Sequence, residues 1–311
     1  MRAERGTGWL TIAVCSLALA GCGEQVYPRV SLSEGSETSA QRPRVSGKVP
    51  LRVAIAAVVS PEANLDAYER LLAYLSDKLD RPIQSVQRST YTEINGLIRS
   101  QAVDIGFVCT GAYVEGQREF GMELLVAPEV RGQTTYYSYI IVPRDSSAAS
   151  LADLRGARFA FSDPLSNTGH LAVQWRLAEI GQTPEAFFSS RIFTRSHDNS
   201  IGAVADHFVD GAAIDSLVYD SIMAQTPGYS SRFKILEKLG PFGIPPVVVH
   251  PALAGALKEQ VREALLSAST DEKGRAALAA LRIDRFVRVE DSAYDLTRTM
   301  AAVIRGWPKT R

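Results

Sequence analysis

The sequence predicts an α/β protein of two lobes joined by two crossings, closing on each other as a hinged clamp. Two observations predict this. Strand and helix patterns alternate from Leu51 onward, and the alternation restarts after residue 150. At 311 residues, the chain also exceeds what one compact core usually holds. Its composition suits a packed core, with 46% hydrophobic and 22% charged residues. Lys+Arg and Asp+Glu both total 34, a balance that argues against a nucleic-acid binder, which usually needs a basic face.

The elements follow in order. Leu51 to Ala57 alternates as a strand. Asn64 can cap a helix in which Leu65, Tyr68, Leu71, Leu72, Leu75 and Leu79 recur at helical spacing. Residues 83–87 and 103–108 are strands, with a helix at 92–100 between them. This βαβαβ order implies a parallel sheet wrapped by helices. Strands at 123–126 and 136–142 follow. The second lobe then reads as a short helical turn at 151–154, strands at 157–161, 191–194 and 212–214, and helices at 168–180, 201–208 and 216–223. After a strand at 233–239, Gly240-Pro-Phe-Gly-Ile-Pro-Pro246 interrupts all regular structure. Val247 to Val249 is a last strand. Helices at 253–268, 271–281 and 289–305, with no strand among them, are expected to cover one lobe. The crossings fall near 139–143 and 240–247. Lobe I is then 50–140 with 246–311, and lobe II is 141–245.

The N-terminus reads as an address. Arg2 and Arg5 precede an apolar run from Trp9 to Ala20, too short to span a bilayer. Leu19-Ala-Gly-Cys22 resembles a bacterial lipobox. It implies a lipoprotein signal peptide at 1–21, lipidation at Cys22 and a flexible tether over the polar residues 22–49. Cys109 is then a lone thiol.

Several residues could carry chemistry. Phe161-Ser-Asp-Pro-Leu-Ser-Asn-Thr-Gly-His170 leaves a strand and enters a helix. Ser166, Asn167 and Thr168 suit an ordinary cap or, with free N–H groups and the helix dipole, an anion. Gly169 permits a close approach to the backbone. Ser196-His-Asp-Asn-Ser200 occupies a similar junction, where His197 could donate to an oxyanion. Tyr91 and Tyr136 sit where a phenol could meet a ligand. His170, His207 and His250 have no metal-ligand spacing, and neither metal nor cofactor is expected. Ser166, His197 and Asp215 lack a nucleophile elbow, and no Walker, G-x-G-x-x-G or H-E-x-x-H motif occurs, so no enzyme is expected.

These segments, with Arg88-Ser-Thr-Tyr-Thr-Glu93, Val103-Asp-Ile-Gly-Phe-Val-Cys-Thr-Gly-Ala-Tyr-Val114 and Tyr136-Tyr-Ser-Tyr-Ile-Ile-Val-Pro-Arg-Asp-Ser146, resemble the phosphate/phosphite/phosphonate class of periplasmic substrate-binding proteins of ABC transporters. The likeness runs from Leu51 to about Pro251. It implies a two-lobe Venus-flytrap clamp of the type 2 periplasmic binding fold. The family's Ser-Thr-Ser-Gly helix start reads here Ser166-Asn167-Thr168-Gly169, one hydroxyl becoming an amide. The resemblance assigns ligand contacts to Tyr91, Tyr136 and His197, with Cys109 and Thr110 at the cleft edge. Asp215 is the candidate acid. A second acid that the family uses for an amino group is missing from Ile244-Pro245-Pro246, so an aminoalkyl ligand is in doubt.

The reading is a monomeric, lipid-anchored periplasmic protein. It captures a small phosphorus oxyanion for an ABC permease and binds no nucleic acid. The alternative is a sensor that signals an oxyanion such as arsenite, held by Cys109, to a membrane histidine kinase.

Overall fold

The computed structural model describes residues 49–58 and 61–307. The expected signal peptide, Cys22 and all of the tether before Val49 lie outside the described residues. The first sheet begins with β1 (Leu51–Ala56), β2 (Ile83–Arg88) and β3 (Ile105–Phe107). They alternate with α1 (Pro61–Leu79), α2 (Tyr91–Arg99) and α3 (Thr110–Phe120). β4 (Glu123–Glu129) follows. The chain then passes through residues 130–134 to β5 (Thr135–Pro143) in a second sheet. That link lies before the expected crossing at 139–143, because pairing of β5 with its neighbours starts at Thr135.

The second sheet holds β6 (Arg158–Phe161), β7 (Ser190–Phe193), β8 (Gly211–Asp215) and β9 (Phe233–Gly243). Its helices are α4 (Ala172–Ala178), α5 (Pro184–Phe187), α6 (His197–Ala205) and α7 (Ser216–Gln225). The chain returns through residues 244–246 to β10 (Val247–Val249) in the first sheet. α8 (Gly255–Leu266), α9 (Glu272–Leu281), β11 (Arg285–Val287) and α10 (Asp295–Gly306) complete it.

The first sheet has the order β11-β4-β10-β3-β1-β2 and the second β7-β6-β8-β5-β9. β1 runs parallel to β2 and β3, and β6 parallel to β7 and β8. The returning β10 lies antiparallel between β3 and β4. Both sheets are covered on two faces. Leu71, Leu75, Val261, Leu265 and Leu278 of α1, α8 and α9 pack on one side of the first sheet, and Ile94, Ile98, Ala112 and Tyr113 of α2 and α3 on the other. Such two-sided burial explains why β1 and β10 read as nearly continuous apolar runs.

Five features depart from expectation. α1 starts at Pro61, not after Asn64; a proline's fixed φ suits the first helical position. α3, for which no helix was expected, starts at Thr110-Gly111. Gly111 is there because a Cβ would lie 2.3 Å from the Leu165 carbonyl oxygen of the other lobe. β9 continues through Gly240-Pro241 to Gly243, since Thr135 and Tyr136 of β5 pair with Gly243 and Phe242. The C-terminal region contains a strand, β11, paired antiparallel to β4. Its helices are also divided. α8 and α9 cover the first sheet, whereas α10 packs on both α3 and α4 and so touches both lobes.

Candidate functional site

Five helical segments begin at or beside the expected ligand residues. α2 starts at Tyr91, α3 at Thr110, a five-residue π-turn at Asn167 that runs into α4, α6 at His197 and α7 at Ser216. Each start exposes N–H groups and the positive end of a dipole. The local sequence explains most of these starts. Thr90 and Glu93 form a reciprocal capping box on α2. Ser166 Oγ accepts from Gly169 N at 2.9 Å, and Asp215 Oδ1 accepts from Leu217 N at 2.8 Å. At α3 the cap position is Cys109, and no side chain caps the first turn.

The structure brings the expected residues together in a buried cluster, called the chamber below. Tyr91, Cys109, Thr110, Tyr136, Ser166, Asn167, Thr168, His197 and Asp215 are each no more than 1% exposed. Asn167 Nδ2 donates to Tyr136 Oη at 3.3 Å. Burial pushes the Tyr91 and Tyr136 phenols well above 10, with Cys109 adding to both, so each stays protonated. Two hydroxyls here, Tyr91 Oη and Thr168 Oγ1, are buried without a protein partner. Leaving such a group unmatched costs about 1–3 kcal/mol.

His197 is held as a neutral donor. Asp215 N donates to its Nδ1 at 3.1 Å, which leaves the proton on Nε2. Nε2 lies 3.4 Å from Ser162 Oγ and 3.5 Å from Ser166 Oγ. Burial pushes His197 down to about 3 and Asp215 up to about 7. Gly169 does permit a close approach, as expected. The approaching groups are the chain's own: a Cβ there would lie 2.0 Å from Ser162 Oγ and 2.8 Å from His197 Cε1.

Other expected residues have structural work as well. Thr110 Oγ1 donates to Gly243 O at 2.8 Å, tying α3 to the end of β9. Asn167 Oδ1 accepts from Thr297 Oγ1 of α10 at 3.3 Å. Cys109 does not offer the reachable thiolate that an arsenite sensor needs. It is buried, and burial pushes its thiol up to about 11. The sensor alternative therefore finds no support.

Sequence reasoning missed Asp163. Its Oδ1 accepts from Leu165 N at 2.8 Å and its Oδ2 from Tyr91 N at 3.1 Å, so one buried carboxylate joins the two lobes. His197 N donates to Val58 O at 3.1 Å in the same manner. Both bonds span long stretches of chain and leave no local signal. Among the described residues no Lys or Arg is buried, and no cluster of His, Cys, Asp and Glu could hold a metal ion. The chamber therefore has neutral donors and helix starts with which to meet an anion.

Comparison with known proteins identifies the family and the fold. The family described as "ABC transporter, phosphonate, periplasmic substrate-binding protein" matches residues 53–294. The fold is shared with a binding-protein component of an ABC phosphonate transporter from Pseudomonas aeruginosa (TM-score 0.77, 21% identity, 82% of this chain and 86% of that chain). It is also shared with PhnD1 from Prochlorococcus marinus in complex with methylphosphonate (TM-score 0.75, 16% identity, 82% and 98%). A Xanthomonas citri protein bound to chloride ion is a third (TM-score 0.70, 20% identity, 83% and 98%).

Proposed function

Because the chain belongs to the phosphonate-type periplasmic substrate-binding proteins of ABC transporters, a family of binding components and not of enzymes, we propose that its chamber captures a small phosphorus oxyanion for delivery to a permease. The carrying observation is the pair of buried, unpartnered hydroxyls, Tyr91 Oη and Thr168 Oγ1, in a chamber that also holds the uncapped start of α3. Tyr91 belongs to the first lobe and Thr168 to the second. One tetrahedral anion accepting from both would satisfy the orphan donors and hold the lobes closed. Tyr136, Ser166 and His197 add donors around it, and Asp215 offers an acceptor to a protonated phosphonyl oxygen.

Lipidation at Cys22 would tether the protein to the periplasmic side of a membrane. Leu19-Ala-Gly-Cys22 supports this reading, as does the polar stretch after it. Mass spectrometry of the membrane fraction should find a diacylated Cys22; an unmodified N-terminus at another residue would overturn the anchor. For the ligand, calorimetric titration with methylphosphonate, phosphite, phosphate and sulfate is the test. A phosphorus oxyanion should bind, and more tightly than sulfate. Heat from none of the phosphorus oxyanions would sink the assignment.

A further inference from the structure

We propose that Thr297 of α10 is a positioning residue for the ligand: through the Asn167 amide it orients the Tyr136 phenol, so the C-terminal helix is part of the binding machinery. This rests on the phosphorus-oxyanion reading of the chamber. Asn167 stands in the 166–169 helix start where the family has a hydroxyl. Its amide is engaged within the protein. Nδ2 donates to Tyr136 Oη at 3.3 Å, and Oδ1 accepts from Thr297 Oγ1 at 3.3 Å. An amide held at both ends is fixed in orientation and acts as a strut between α10 and the phenol. Tyr136, Asn167 and Thr297 are all buried, so bulk water does not replace a lost partner.

The direction of this chain matters. The Thr297 hydroxyl donates to the carbonyl end of the amide, which leaves the amino end toward Tyr136. Tyr136 Oη therefore accepts from the amide, and its own proton is left to donate. A phenol donating to a carbonyl oxygen instead would have no proton to give an anion. The helix has a second hold on the same residue. Met300, three residues after Thr297, is buried in a cluster with Tyr136, Ala172 and Phe242, and the Tyr136 ring meets Phe242 edge-on at 6.3 Å between centres. α10 is itself braced against the first-sheet lobe. Arg298 Nε donates to Gln117 Oε1 at 2.8 Å and Arg305 Nη1 pairs with Glu115 Oε2 at 3.3 Å, both on α3. Tyr294 Oη, just before α10, donates to Ile244 O of the return crossing at 3.0 Å. The bond from Thr297 to Asn167 thus joins a helix tied to α3 with a residue of the second-sheet cradle.

The test is a double-mutant cycle on the full chain, read by calorimetry with methylphosphonate, phosphite and phosphate as probes. Thr297→Val, which keeps the shape and removes the hydroxyl, should weaken the tightest of these probes by about threefold to tenfold. Thr297→Ser, which restores the donor, should stay within about twofold of the wild type. In a Tyr136→Phe background, Thr297→Val should change affinity by less than about twofold, because the phenol it orients is gone. If circular dichroism shows Thr297→Val unfolded, Thr297→Ala, with the better helix former, is read in its place with the same expectations. Unchanged affinity in Thr297→Val would overturn the role. So would Thr297→Ser binding as weakly as Thr297→Val, or the full loss persisting in the Tyr136→Phe background, since a purely structural threonine acts without the phenol. In each of these cases the chamber still binds its anion. A wild type that binds none of the probes would instead remove the phosphorus-oxyanion reading, and this role with it.

Discussion

The two sides of the chamber are built differently. On the second-sheet side most polar groups are held by their neighbours, Thr168 Oγ1 and Ser196 Oγ excepted. Ser166 accepts from Gly169 N, His197 Nδ1 accepts from Asp215 N, Asp215 caps α7, and Ser138 Oγ donates to Thr168 O at 2.6 Å. On the first-sheet side Tyr91 Oη has no partner and α3 begins without a side-chain cap. One side is thus a cradle organised in advance, in which Thr168 Oγ1 is the open donor. The other brings donors that find an acceptor when the lobes close on an anion. Closure is supported by Tyr91 N on Asp163 and by His197 N on Val58 O. Binding energy and closure energy are therefore coupled.

The largest expected effect removes the open donor from each side. Thr168→Val with Tyr91→Phe should weaken phosphonate binding about a hundredfold or more in calorimetry, at about 1.5–3 kcal/mol per bond to a charged acceptor. Each single change should cost about tenfold. Unchanged affinity in the double variant would place the anion elsewhere.

The second prediction concerns pH and the cradle alone. Asp215 is raised from 3.8 to about 7, so its contribution is largest at low pH and is lost as pH rises from about 4 to about 7. His197 is lowered from 6.5 to about 3, so its burial opposes folding at low pH and ceases to do so as pH rises from about 3 to about 6.5. Each is worth about 4–5 kcal/mol, and the two oppose each other between about pH 4 and 6.5. Asp163, also raised by burial, acts in the direction of Asp215. Urea midpoints of the wild type should fall only gently across that window, by the share of Asp163 that His197 leaves unbalanced. Asp215→Asn should make stability climb with pH, and His197→Asn should make it fall. Parallel profiles in all three proteins would refute the balance.

The third prediction separates closure from contact. Asp163→Ala should lower affinity about tenfold by removing the bond to Tyr91 N, at about 1.5 kcal/mol, although Asp163 is not assigned to the ligand. Small-angle scattering should show a larger radius of gyration without ligand. An unchanged radius together with unchanged affinity would show that this bond does not govern closure.

The smallest effect is expected at Cys109. Its thiol is neutral and buried, so Cys109→Ser should keep phosphonate affinity within about threefold and cost about 1 kcal/mol of stability. Loss of binding would make the sulfur a ligand contact.

Much of this architecture is visible in local patterns, because strands and caps depend on nearest neighbours in the chain. Leu51–Ala56 and Gly211–Asp215 run largely apolar as buried strands do, and Ser166 sits three residues before the N–H it accepts. The start of α3 was hidden because Thr110-Gly111 has the composition of a turn; only the nearby Leu165 carbonyl shows why a glycine is needed. β11 is three residues long and exists by pairing with β4, so its own sequence carries too little signal.

The sequence by itself determined the alternation of elements, the Ser166–Gly169 helix start and the family to which the chain belongs, since periodicity, capping and motif order are local properties. Tertiary structure decided what those residues do. It assigned the Asn167 amide to Tyr136 and Thr297, gave Thr110 a bond to Gly243, and set Asp163 across the lobes onto Tyr91. It also left Tyr91 Oη and Thr168 Oγ1 unpartnered. The physical reason is separation along the chain. Asp163 lies 72 residues from Tyr91, and Thr297 lies 130 from Asn167, so only the folded chain decides which donors are satisfied and which wait for a ligand.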